Sequence, residues 1–159
     1  MSASFFMRAA TALLAVGLLL SPASAQDRAT VEDFSVHLFL TGKGELSPDV
    51  TRMRNFHAWN FFAMADGYEG GDFHGYLISL RFVSPREVFA KGPQARIELR
   101  DSQKGKVLRR FTVADVYVGD QKPSHRALLI SGLDCTPVKI VALSHGKRIE
   151  KELPLQCGE

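Results

Sequence analysis

The chain has 159 residues, 45 % hydrophobic and 23 % charged, with 20 basic and 17 acidic side chains for a formal net charge of +3. That length holds one domain with a real core, not two. So small a positive balance gives no reason to expect nucleic acid as a partner.

Met1 to Met7 carry no acid and lead to a lone cation at Arg8, after which an apolar run extends from Ala9 to Leu20. Ser21-Pro22 breaks the run, and Ala23-Ser24-Ala25 supplies a small-x-small cleavage site before Gln26. This is the pattern of a secretory signal peptide. Twelve apolar residues are too few to cross a bilayer comfortably, so a cleaved leader is expected rather than a transmembrane segment. Cleavage between Ala25 and Gln26 leaves a single domain, residues 26–159, in the periplasm or outside the cell.

Phe34 to Leu40 is a β-favouring run that ends at Gly42-Lys43-Gly44. Ser47-Pro48-Asp49 reads as a helix start, with serine at the N-cap, proline at the first position and an acid in the first turn. The expected helix covers residues ~48–65 and stops at Asp66-Gly67. A glycine-rich loop, residues 67–72, follows. Strand alternation resumes from His74 to Phe82 and is clearest at Ala95 to Arg100, where Ala95, Ile97 and Leu99 point one way and three charges the other. Val107–Val113, Arg126–Ser131, Val138–Leu143 and Arg148–Leu153 complete the strands. About seven short strands with regular turn signals predict a mainly β fold. The expected architecture is an immunoglobulin-like antiparallel β-sandwich carrying one helical insertion. A small open β-barrel is the alternative.

Cys135 and Cys157 are the two cysteines. In an oxidising compartment an even pair reads as a disulfide. Each lies eleven residues from Gly146, the turn glycine of the last hairpin, so an antiparallel pairing centred there sets them opposite each other at bridging distance. Closing that loop is worth about 3 kcal/mol in the chain-entropy model.

Seven of the thirteen aromatic residues after the leader fall between Phe56 and Tyr76. Around a helix they would occupy nearly every side, which demands burial on more than one face. The segment is therefore either a core plug or an apolar surface awaiting a partner, with Phe56, Trp59, Phe62, Tyr68 and Phe73 as candidate binding residues. Met53, His57 and Met64 would share one helical face, and His74 lies just beyond the loop. Thioether and imidazole together suit Cu(I), so copper is the alternative cofactor reading; methionine at such spacing also serves as core filler.

The sequence contains no HExxH, GxSxG, P-loop or GxGxxG motif. Charge is divided unevenly: residues 26–75 hold four basic and eight acidic side chains, residues 76–159 fifteen and nine. The later half can thus form a basic face for an anionic partner, or the two halves can neutralise each other as neighbours. The sum of these readings is an exported, non-enzymatic binding module that engages another exported or envelope protein through residues 56–76.

Overall fold

The computed structural model describes residues 28–59, 62–133 and 137–156. The leader, Phe61, Cys135 and Cys157 lie outside the described residues, as does the Trp59 side chain. The strands are β1 (Thr30–Leu40), β2 (Glu45–Leu46), β3 (His57–Trp59), β4 (Phe62–Ala65), β5 (Tyr68–Val83) and β6 (Val88–Asp101), then β7 (Val107–Val118), β8 (Ser124–Ile130), β9 (Val138–Ser144), β10 (Lys147–Leu153) and β11 (Leu155–Gln156).

In the first sheet β5 is central. It pairs antiparallel with β1 on one edge and with β8 on the other, and β2 adds to the outside of β1. The second sheet runs β10-β9-β6-β7, antiparallel throughout. Taking the seven long strands alone, β1-β5-β8 faces β10-β9-β6-β7. That is an immunoglobulin-like order with the fourth strand moved into the second sheet. Alternation builds the core between the sheets: Phe34, Leu38, Ile78, Leu80 and Phe82 from one side meet Ile97, Leu99, Ile140 and Leu153 from the other. The sheets remain separate, so the open barrel is not what forms.

Among the described residues of 48–65 the expected helix does not form. A 3-10 turn, Val50–Arg52, and the strands β3 and β4 form there, and Asp49 caps the turn by accepting the Thr51 N–H. The cap signals serve the edge of β1 instead. Ser47 Oγ accepts the Leu38 N–H at 2.9 Å and Asp49 Oδ1 accepts the Val36 N–H at 3.0 Å. Farther along, Ser144 Oγ accepts the Val31 N–H, and Lys147 and Lys151 donate to the Glu32 and Phe34 carbonyls. Side chains thus occupy an edge that would otherwise invite another strand.

Asn55 then adopts a φ of 50°, which no continuing helix allows. Beyond it, the aromatic segment divides as strands divide. Phe56, Ala58 and Ala63 turn inward while His57, Phe62 and Met64 face solvent, a partition one helix could not achieve for the same residues. Asp66-Gly67, read as a helix stop, is the two-residue turn of the β4–β5 hairpin, with Gly67 at φ 67°.

The glycine-rich loop is likewise a strand: residues 68–72 open β5. A Cβ on Gly70 would stand 2.2 Å from the Ala63 carbonyl oxygen, so only glycine permits this approach of β4. Gly70→Ala is expected to cost about 1–3 kcal/mol and to speed amide exchange in residues 62–65. Exchange in β6 and β9 should stay unchanged.

The last hairpin turns through His145-Gly146, both at positive φ, and its ladder ends at Val138 opposite Leu153. Pro154 follows, and β11 leaves to pair parallel with β3 in the first sheet. The hairpin ladder therefore stops short of both cysteine positions, and their pairing lies outside the described residues.

Candidate functional site

The outward face of the first sheet changes character along its strands. Its rows across β1, β5 and β8 read Asp33–Arg81–His125, then Ser35–Ser79–Ala127, then His37–Leu77–Leu129. At the polar end Asp33 takes Lys151 at 3.1 Å and Arg52 at 3.2 Å. In the middle, His37 Nδ1 donates to the Ser47 carbonyl at 2.8 Å, which leaves Nε2 to accept the Ser35 hydroxyl at 2.8 Å. That clamp fixes the ring of a residue paired with Leu77, which lines an apolar groove.

The groove has a volume of about 480 Å³ and is lined by Phe39, Leu46, His74, Gly75, Leu77, Leu129 and Ser131. Its walls are unusually open to water: Phe39 is 41 % exposed, Leu46 48 % and Leu129 68 %. A bulge produces it. Leu38 pairs with Tyr76 and Leu40 with Phe73, so His74 and Gly75 together oppose Phe39. Gly75 forms the floor, since a Cβ there would press on the Ile130 carbonyl oxygen at 3.0 Å and the Leu129 side chain at 3.5 Å. β2 brings Leu46 opposite Phe39, and β8 brings Leu129 opposite Leu77.

The candidate binding residues separate into two groups. Phe56 and Phe73 are buried in the core, and Phe73 makes an edge-on contact with Tyr76 at 5.3 Å between ring centres. Tyr68 is half-buried against the core; burial, aided by the Glu45 charge, pushes its hydroxyl pKa up. Phe62 is exposed on β4, and the Trp59 backbone pairs with it. The aromatic segment is thus part core and part surface.

The metal candidates are not gathered on one helical face. Met53 closes the 3-10 turn and packs against the core, while His74 stands at the groove. His57 and Met64 do face each other across the β3–β4 hairpin. Among the described residues, no group of three or more histidines, cysteines and acids could hold a metal ion.

Phe39, Leu46, Leu77 and Leu129 were not singled out by sequence. The signal available was a large apolar residue at an outward position: Phe39 is out of phase with Phe34, Val36, Leu38 and Leu40, and Leu129 lies out of phase with Ile130. Among the described residues, no helix is long and apolar enough to cross a membrane. Compared with family models, curated proteins and solved structures, the chain matches none.

Proposed function

We propose that this chain is an exported, non-enzymatic binding module that docks an exported or envelope protein on the outward face of its first sheet. The observation that carries the reading is the groove of Phe39, Leu46, Leu77 and Leu129, apolar and open to water in a fold with a full core elsewhere. Apolar patches of this kind mark interaction sites. Phe62 and Met64 face solvent on β4 and extend the apolar surface offered by the aromatic segment. The rest of that segment supports the site from beneath, through Phe73 and Tyr76.

Immobilised wild-type domain should retain a discrete protein from envelope extract, and Leu46→Arg/Leu129→Arg should lose it. Both substituted side chains are exposed, so the variant should keep the wild-type unfolding midpoint. Equal retention by a folded variant overturns the assignment.

Export brings a disulfide with it. Protein from its own compartment should begin at Gln26 and contain no free thiol, and unreduced peptide mapping should recover Cys135 and Cys157 in one linked fragment. Two reactive thiols would count against both the pairing and the export. A second reading, Cu(I) carriage, keeps one favourable observation, His57 opposite Met64. It requires Cu(I) retention on dialysis that His57→Ala/Met64→Ala abolishes.

A further inference from the structure

The opposite side of the sandwich is a different surface. On the outward face of the second sheet, Glu98 is only 2 % exposed although its strand position points to solvent. Three guanidiniums cover it: Arg100 Nε at 3.0 Å, Arg110 Nε at 3.1 Å and Arg96 Nε at 3.3 Å. One carboxylate cannot use the donors of three guanidinium forks, so two positive charges and most of the N–H groups remain for something else. On the neighbouring strands Arg148 pairs with Glu150, and Lys139 with Glu150 and Glu152. On β6 and β7, by contrast, three guanidiniums share the one Glu98 carboxylate.

We propose that this β6–β7 face rests on a membrane surface bearing anionic phosphate headgroups. The inference goes beyond the docking groove, which lies on the other face of the sandwich. Three features favour a lipid surface over an acidic protein. The three guanidiniums share Glu98 on one sheet face and keep 53 %, 30 % and 57 % of their side chains exposed, so they present a cluster of donors. Exposed large apolar side chains accompany them, Leu108 two residues from Arg110, and the Phe89–Tyr117 cross-strand pair farther along the same two strands. Such side chains suit the boundary between headgroup and acyl chain. At Arg96 opens a cleft of about 440 Å³ whose wall also includes Thr112, His145 and Lys147 and no carboxylate, which suits a single phosphate. Lying on this face would turn the apolar groove away from the membrane, toward a partner.

Co-sedimentation with vesicles tests the proposal. The domain from Gln26 onward should bind vesicles of phosphatidylcholine mixed with phosphatidylglycerol, weakly or not at all phosphatidylcholine alone, and release as salt rises. Arg96→Gln and Arg110→Gln should each weaken binding about fivefold. Leu108→Asn should weaken it with the salt dependence unchanged, and decides the matter if an arginine variant fails to fold. Leu129→Ser, in the groove, should bind as wild type. Equal binding to both vesicles overturns the proposal. So does unaltered binding by folded arginine variants. Capture by soluble polyglutamate as tight as by vesicles, indifferent to Leu108→Asn, would assign the face to an acidic protein instead.

Discussion

Phe82→Ala should lower the unfolding free energy by about 3–5 kcal/mol, the largest loss expected of any single core truncation. Phe82 is fully buried on β5, which is paired on both edges at this point, with Val31 on one side and Ser124 on the other. Neighbours on both sides are held by ladder hydrogen bonds, so the site collapses little when the ring is removed, and the cavity term adds to the transfer term. Denaturant unfolding should move the midpoint with an unchanged slope. Phe39→Ala removes the same ring from the outward side of the same sheet and should cost under about 1 kcal/mol. Similar costs for the two would mean that the inward and outward faces have been exchanged.

Glu98→Ala should cost about 3 kcal/mol, because it leaves three guanidiniums converging on an apolar methyl. The same group carries a pH dependence. The hydrogen bond from Arg100 foremost, joined by Arg110 and opposed by burial, holds the Glu98 carboxyl below its ordinary value of 4.5. A folded-state value depressed in this way contributes stability that is whole above about pH 4.5 and drains away as pH falls through the lower folded value. Wild-type stability should therefore fall on the acid side more steeply than that of Glu98→Gln. Parallel acid limbs for the two would show that the arginines do not act on this carboxylate.

Both effects arise from contacts that a linear reading reaches only in part. The alternation of Ala95 to Arg100 announced a half-buried strand, and the strand is there. It placed Glu98 outward without revealing that Arg110, from a strand twelve residues on, would close over it. Ser47-Pro48-Asp49 carried true capping chemistry, but the local signal cannot say whether the capped group belongs to a helix or to the edge of β1. The deciding clue was already in the residues that follow: aromatics on every side of a helix conflict with any single buried stripe, whereas strand alternation divides them cleanly.

Asp66-Gly67 shows the same ambiguity, since a residue pair that ends a helix also turns a hairpin. The groove was the least legible feature. It depends on one bulge in β5 and on β8 lying beside that strand, and Leu129 meets Leu77 from 52 residues farther along the chain. The split of charge between the halves was legible as a number. Its meaning required the sheet, which gathers Arg96, Arg100 and Arg110 from β6 and β7 around Glu98.

The docking face of the first sheet is the central claim, and site-specific photo-cross-linking tests it most directly. A photoreactive residue at position 129 should give one discrete protein adduct in the native compartment, abolished by Leu46→Arg in the same chain. The same residue at Lys104, in the exposed β6–β7 turn, should give none. Adducts of equal yield and identity from both positions, or none from position 129 in a folded chain, would contradict the account.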